Sequence, residues 1–186
     1  LTKGGKKYFM TLIDDSTRYC HVYLLKSKDE ALNYFKIYKA EAENQLDRNI
    51  KRLRSDRGGE YFSNEFDSFC AEHGIIHERT PPYSPQSNGV AEKKNRTLTD
   101  LVDAMLDTSG LSKAWWGEAI LAACHVLNRV PTKNKEITPF EEWEKKRLKL
   151  LSANMGLFGQ SQCSNSKEAE TWTKDCGLCF LGICFS

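Results

Sequence analysis

The pattern of apolar and polar positions along the chain predicts four strands. Residues 8–13 and 19–25 are rich in β-branched and aromatic side chains, and the polar residues 14–18 between them suit a turn. These segments therefore predict a hairpin. Residues 50–55 and 75–79 are two further short runs with strand character, each bounded by turn-forming residues.

Apolar residues at helical spacing predict helices between and after these strands. In the first predicted helix, Ala31, Phe35, Tyr38, Ala42 and Leu46 recur at intervals of three or four residues, which places them on one face. Because helices alternate with strands, the order predicts an α/β fold with a mixed sheet. The predicted helices cover residues 31–46, 64–73, 90–109, 112–127 and 138–143.

Two segments lack this periodicity. Residues 80–89 contain three prolines and end in glycine, a composition that predicts a loop. Residues 152–186 are richer in Ser, Gly and Cys and contain only short apolar runs. We therefore expect one core unit over residues 1–150, followed by a partial C-terminal segment over residues 151–186.

The composition is typical of a core-forming protein and says little about its partner. Of the 186 residues, 40% are hydrophobic, and no apolar run approaches the roughly 18 residues that cross a bilayer, so no membrane partner is expected. Lys and Arg number 27 against 25 Asp and Glu, so only local clustering of charge could indicate nucleic acid. The seven cysteines are an odd number without a secreted disulfide pattern, which favours an intracellular location.

Two acidic residues stand where a metal ion could bind. Asp56 closes a predicted strand before a glycine turn, and Glu92 lies in the first turn of a predicted helix, where the helix dipole favours a carboxylate. Two such carboxylates could hold Mg²⁺, which completes its coordination shell with water and phosphate oxygens. The ordinary alternative is that both acids cap their elements, with Glu92 also pairing with Arg96 four residues further on.

Three longer stretches resemble the integrase core of copia-type retrotransposon polyproteins. They are Leu-Ile-Asp-Asp-Ser-Thr-Arg at 12–18, Leu-Arg-Ser-Asp-Arg-Gly-Gly-Glu-Tyr at 53–61, and Pro-Tyr-Ser-Pro-Gln-Ser-Asn-Gly-Val-Ala-Glu-Lys-Lys-Asn-Arg-Thr-Leu at 82–98. The resemblance runs in order from about Gly4 to Trp143. Asp56 and Glu92 are separated by 35 residues, the interval that this superfamily shows between its second and third catalytic acids.

The resemblance implies a fold, a cofactor and a reaction. The implied fold is a ribonuclease H-like mixed sheet flanked by helices, and the implied cofactor is Mg²⁺ or Mn²⁺, with two ions in the complete site. The implied reaction trims the 3′ ends of the element's DNA with water and then uses the new 3′ hydroxyls to attack target DNA. By position, Asp56 and Glu92 are the catalytic residues and metal ligands.

The resemblance also implies partners. They are DNA, as retroelement ends and target, and further copies of the chain in a homo-oligomer, acting in the nucleus at the step of integration. Basic residues crowd around Asp56 and Glu92, as suits a substrate rich in phosphates. The residues expected to contact DNA are Arg54, Arg57, Gln86, Asn88, Lys93, Lys94 and Arg96.

One part of the family's site is missing from this sequence. The family's first catalytic acid stands on its first strand, upstream of the stretch that begins here at Gly4, and Asp14 and Asp15 match hairpin-turn acids instead. In the family, that first strand lies in the middle of the sheet, between the strands predicted here at 8–13 and 50–55. We therefore expect two bare strand edges, low stability, and no strand transfer by this chain alone.

Two other functions stay open at this point. The chain could be a degenerate, non-catalytic remnant that still binds nucleic acid, or a ribonuclease H-like nuclease that cuts DNA without joining it. A zinc site is a further alternative, because Cys176 and Cys179 have the spacing of half a zinc site and Cys163 and Cys184 could complete it. The apolar residues around Cys179 favour a buried strand instead.

Overall fold

The computed structural model describes residues 2–55, 64–79, 89–132 and 135–145, together with the backbone of residues 178–185. No helix in these segments is long and apolar enough to cross a membrane. Short 3₁₀ turns at Lys28–Glu30 and Lys113–Trp115 lead into two of the helices. The elements are β1 (Tyr8–Asp14), β2 (Cys20–Leu25), α1 (Ala31–Leu46), β3 (Arg52–Ser55), α2 (Asn64–Glu72), β4 (Ile76–Arg79), α3 (Gly89–Ser109), α4 (Trp116–Asn128), α5 (Pro139–Glu144) and β5 (Leu178–Phe185).

The described strands form one five-stranded mixed sheet in the order β2-β1-β5-β3-β4. β1 pairs antiparallel with β2 and with β5, whereas β3 pairs parallel with β4 and with β5. The predicted hairpin, the mixed sheet and the helices that flank it are confirmed.

The middle of the sheet is filled by β5, at the place where the sequence predicted a gap. β5 pairs with β1 from Tyr8 opposite Phe185 to Asp14 opposite Cys179, and with β3 over all four residues of that strand. The prediction of two bare edges is therefore wrong. The physical reason is that an extended segment in this place satisfies backbone N–H and C=O groups of both β1 and β3.

The pairing of β5 bears on two other expectations. The strand predicted around Cys179 and Cys184 is confirmed, whereas Cys163 and Cys176 lie outside the described residues. The expected boundary at residue 150 also lies outside them, so the division into 1–150 and 151–186 stays a prediction.

Each face of the sheet carries its own hydrophobic core, because side chains alternate along a strand. Met10 and Leu12 of β1 belong to one core, together with residues of α1, α2 and α5. Phe9 and Ile13 belong to the other, together with residues of α3 and α4. We call these two faces the α1 side and the α3 side of the sheet.

Local hydrogen bonds explain where several elements begin and end. In the hairpin turn, one oxygen of the Asp14 carboxylate accepts from the Thr17 backbone N–H and from the Thr17 hydroxyl, both at 2.8 Å. Arg18 takes a left-handed conformation in the same turn and pairs with Asp15. Asp14, the last residue of β1, and Asp15, the first residue of the turn, therefore both stabilise the hairpin turn. Thr138 begins α5 with a capping box.

The core on the α1 side yields a prediction about stability. Phe35 is fully buried and stacks on Phe66, with ring centroids 5.5 Å apart. Replacing Phe35 with Ala should lower the free energy of unfolding by about 3–5 kcal/mol, because the change leaves a cavity. The matched control is Ile37→Ala in the same helix, where Ile37 is 47% exposed, and its effect should stay within about 0.5 kcal/mol. Urea unfolding followed by circular dichroism measures both, and similar losses would contradict this account of the core.

Candidate active site

The candidate site is divided between the end of β3 and the start of α3. Ser55, the last residue of β3, is followed directly by Asp56, and Glu92 lies in the first turn of α3. Asp56 lies outside the described residues, and so do Arg57, Gln86 and Asn88. Their roles stay predictions from the sequence.

Glu92 is exposed and stands at the end of α3 where the backbone N–H groups point outward. The residue before it, Ala91, is fully buried against the α3 side of the sheet. The helix is thus held to the core at its first turn, while the Glu92 side chain faces solvent. An exposed carboxylate in a positive helix-end field is a suitable oxygen ligand for a hard divalent cation.

A buried hydrogen bond ties this end of α3 to the sheet. The Thr11 hydroxyl of β1 donates to the Asn95 side-chain oxygen at 2.8 Å, and both residues are buried. Asn95 lies three residues after Glu92, so the contact fixes the turn that presents the candidate ligand. Sequence reasoning missed this pair. A signal was present, because Asn95 is a polar residue on the stripe that also contains Ala91 and Leu98.

Arg54 is engaged by an acidic neighbour. Its Nη2 and Nε atoms lie 2.8 and 3.2 Å from one Glu78 oxygen, and Arg52 lies 3.2 Å from the other oxygen. Both arginines belong to β3, and Glu78 lies on the adjacent β4. This carboxylate offsets part of the positive charge that the sequence places next to Asp56, and a phosphate at Arg54 would have to share the guanidinium with Glu78.

The three basic residues after Glu92 do not share one environment. Lys93 and Arg96 are exposed, and Arg96 lies one turn from Glu92 on the same helix face. Lys94 is half-buried. A hydrogen bond with Cys20 lowers the pKa of Cys124 against the opposing effect of burial, and Lys94 lowers it further. Lys93 and Arg96 are therefore the better placed for phosphate contacts.

A second buried polar group links β2 to α4. The Cys20 backbone N–H donates to the Asn128 side-chain oxygen at 3.0 Å, and the Asn128 amide donates back to the Cys20 carbonyl at 2.8 Å. The Cys124 thiol donates to the same carbonyl at 3.1 Å. These bonds satisfy the backbone of Cys20 at the first residue of β2, so the group has a structural role.

A polar network lies beneath the end of β3, on the α1 side. Ser55 Oγ and His77 Nε2 are 2.8 Å apart, and His77 Nδ1 is 3.2 Å from an Asp67 oxygen. Arg79 donates to the other Asp67 oxygen. Burial lowers the pKa of His77, while its hydrogen bond with Asp67 acts in the opposite direction. Although desolvation opposes it, hydrogen bonds from Arg79 and His77 lower the pKa of Asp67.

The same three residue types form the nucleophile triads of hydrolases. Here the serine cannot act in that way, because Ser55 is 0% exposed and no substrate reaches its hydroxyl. Local sequence patterns do not indicate this network, because its members lie on three different elements and share no regular spacing.

Metal ligands are sparse in the part of the chain that the structure describes. Within it, no group of three His, Cys, Asp or Glu side chains could hold a metal ion. β5, the strand between β1 and β3, has the sequence Leu-Cys-Phe-Leu-Gly-Ile-Cys-Phe and contains no acid. The carboxylate of Asp14 is held within the hairpin turn. Of the two predicted ligands, only Glu92 is among the described residues, and its exposed carboxylate can bind a divalent cation.

Comparison with known proteins gives a consistent set of similarities. Residues 1–85 match the integrase core domain family. A retrovirus-related Pol polyprotein from transposon TNT 1-94 of Nicotiana tabacum is 50% identical over 129 residues, which are 69% of this chain and 10% of that protein. The corresponding protein from transposon RE2 of Arabidopsis thaliana is 32% identical over 143 residues, or 76% of this chain and 10% of that protein. The chain thus spans about a tenth of the length of these relatives.

Solved structures share the fold at low sequence identity. A chain of the simian T-cell lymphotropic virus intasome, in complex with the PP2A regulatory subunit B56 gamma, aligns with a TM-score of 0.61 and 19% identity. That alignment covers 90% of this chain and 56% of the other. The catalytic core domain of BIV integrase aligns with a TM-score of 0.55 and 19% identity, covering 75% of this chain and 86% of that one.

The anchor beneath Glu92 yields a prediction. Thr11→Val removes the hydroxyl that donates to Asn95 and leaves a buried acceptor without its donor, so the free energy of unfolding should fall by about 1–3 kcal/mol. The matched control is Thr99→Val, because Thr99 is exposed on the same helix and donates only to a carbonyl of its own helix in the bonds described. Chemical unfolding measures the free energy of unfolding of both variants. Equal losses would show that the buried bond between Thr11 and Asn95 stabilises the protein no more than the exposed one does.

Proposed function

Because this chain belongs to the integrase core domain family, with relatives among the Pol polyproteins of copia-type plant retrotransposons, we propose that it supplies the catalytic core for integration of retroelement DNA. The 50% identity over 129 residues is the observation that carries the proposal. The reaction would trim the 3′ ends of the element's DNA and join them to target DNA. The structure supports it through a mixed sheet like that of integrase cores and an exposed Glu92 at the start of α3.

Enzymes of this family are polynucleotidyl transferases that generally use divalent metal ions. In this chain Asp56 and Glu92 would hold Mg²⁺ or Mn²⁺, with two ions in the complete site. A bound ion would supply Lewis-acid chemistry at the phosphodiester. The carboxylate of Glu92 has no competing ion pair among those that the structure describes, in contrast to Glu78. β5, the strand in the middle of the sheet, carries no acid, and we propose that this chain alone is inactive in strand transfer.

DNA is the proposed partner, held through its phosphates. Lys93 and Arg96 are exposed beside Glu92 and would neutralise phosphates close to the cation site. Arg57, Gln86 and Asn88 stay candidates from the sequence. Arg54 is a weaker candidate because it pairs with Glu78, and Lys94 is a weaker one because it is half-buried. Self-association and action in the nucleus are further parts of the proposal.

A second candidate function is favoured by one observation. The strand in the middle of the sheet contains no acid, so the chain could be a non-catalytic remnant that binds DNA without processing it. Joining of labelled, end-processed DNA to target DNA by the parent Pol polyprotein distinguishes the two. A joining activity that disappears in Asp56→Asn supports the integrase, whereas DNA binding without joining or cutting supports the remnant. Cutting without joining would indicate a nuclease.

Cation binding gives a direct test of the two predicted ligands. Titration of the 186-residue chain with Mn²⁺, followed by electron paramagnetic resonance of the free ion, should show binding that weakens in Asp56→Asn and Glu92→Gln. We expect the affinity to fall about tenfold or more, because even the loss of residues that only support a metal ligand has effects of that size. The control is Asp100→Asn, an exposed acid of α3. Equal binding by all four proteins would exclude Asp56 and Glu92 as ligands.

Salt dependence tests the proposed phosphate contacts. Lys93→Ala and Arg96→Ala should each weaken binding to duplex DNA of any sequence and reduce the slope of log affinity against log salt by about one. Lys36→Ala is the matched control, since Lys36 is exposed on α1, across the sheet from α3. Fluorescence anisotropy with a labelled duplex at several salt concentrations measures the slopes. An unchanged slope in both variants would remove these residues from the DNA surface.

A further inference from the structure

Asp67 connects α2 to β4 and, through His77, to the end of β3. It belongs to α2, the helix that follows the segment containing Asp56. One of its carboxylate oxygens lies 3.2 Å from His77 Nδ1, and the other accepts from Arg79. His77 and Arg79 both belong to β4, so the carboxylate joins α2 to that strand through two separate bonds.

The network continues from His77 to the residue before Asp56. His77 Nε2 lies 2.8 Å from Ser55 Oγ, and Ser55 is the buried last residue of β3. An ionised carboxylate can only accept hydrogen bonds, so the hydrogen between His77 Nδ1 and Asp67 is carried by the ring nitrogen. In the neutral ring, Nε2 is then the acceptor and the Ser55 hydroxyl is the donor. The chain of bonds therefore has one direction, from Ser55 through His77 to Asp67.

These contacts hold the two strand ends that come directly before the segments containing Asp56 and leading to Glu92. Ser55 ends β3 immediately before Asp56, and α2 receives the chain after that segment. Arg79 ends β4 immediately before the proline-rich segment that leads to Glu92. Asp67 is therefore bonded, directly or through His77, to the point where each segment leaves the sheet.

We propose that Asp67 is a positioning residue for the candidate cation site, acting through His77 on the Ser55 end of β3 and through Arg79 on the end of β4. The inference deepens the proposed function and rests on it. Asp67 touches neither a cation nor DNA in this proposal. Its part is to hold the ends of β3 and β4, so that the chain leaves β3 at a fixed place directly before Asp56. Glu92 is held separately, through the bond between Thr11 and Asn95.

The first test measures which nitrogen of the His77 ring carries the hydrogen, and it does not depend on the proposed function. In the 186-residue chain labelled with ¹⁵N, the chemical shifts of the His77 ring should show a neutral imidazole with the hydrogen on Nδ1 at neutral pH. Asp67→Ala should remove this preference, and Glu65→Gln, an exposed acid in the same first turn of α2, should leave it unchanged. A wild-type ring with its hydrogen on Nε2 would overturn the proposal.

The second test measures how the loss of the Asp67 carboxylate changes Mn²⁺ binding at the candidate site. The Mn²⁺ affinity of Asp67→Ala should be about tenfold lower than that of the wild-type chain, as for other residues that support metal ligands. Asp67→Asn retains one oxygen acceptor, so its loss should be smaller, and Glu65→Gln should bind as the wild type does. Circular dichroism confirms that each variant is folded. Should Asp67→Ala fail to fold, the isosteric Asp67→Asn decides the question through its Mn²⁺ affinity.

The two tests separate failure of this inference from failure of the proposed function. Unchanged Mn²⁺ affinity in a folded Asp67 variant, together with a wild-type chain that binds Mn²⁺ through Asp56 and Glu92, overturns the positioning role alone. A wild-type chain that binds no Mn²⁺ overturns the proposed cation site and the positioning role with it, even where the His77 hydrogen is found on Nδ1.

Discussion

Backbone hydrogen bonding along both edges of β5 joins the two halves of the sheet. β1 and β2 form an antiparallel pair, β3 and β4 form a parallel pair, and the strand order leaves β5 as the connection between them. The candidate site depends on this connection. Glu92 is carried by α3, which is bonded to β1 through Asn95, whereas Asp56 follows β3. β5 therefore lies between the two strands to which the halves of the site are attached, and its pairing holds those strands together.

Much of the fold could be predicted because the local patterns are strong and agree with tertiary burial. The first helix was predicted over residues 31–46 and is observed at Ala31–Leu46, since its apolar stripe forms the contact with the sheet. The place of β5 could not be predicted in this way. An apolar run indicates a strand, but strand order depends on pairing between residues far apart in the chain, which local periodicity does not record.

The candidate site could be predicted only as a set of residue types and intervals. Spacing and resemblance pointed to Asp56 and Glu92, and the structure confirms that Glu92 lies exposed in the first turn of α3. Contacts between side chains on different elements could not be predicted from the sequence. The pairing of Arg54 with Glu78 follows from the register of β3 and β4, and the bonds of Asp67 follow from the docking of α2. Glu78 offsets part of the positive charge of Arg54, and the bonds with His77 and Arg79 lower the pKa of Asp67. Neither effect can be deduced from the residue types alone.

The central position of β5 also sets the order in which the protein can assemble. Asp14 pairs with Cys179, which is 165 residues further along the chain, so the sheet can close only after the segment between them has been synthesised. Domains begin to fold while they emerge from the ribosome, and contacts between distant residues form slowly. A nascent chain would therefore expose the inner edges of β1 and β3 until β5 has emerged, and such unpaired edges are sites where a chaperone or a neighbouring nascent chain can bind.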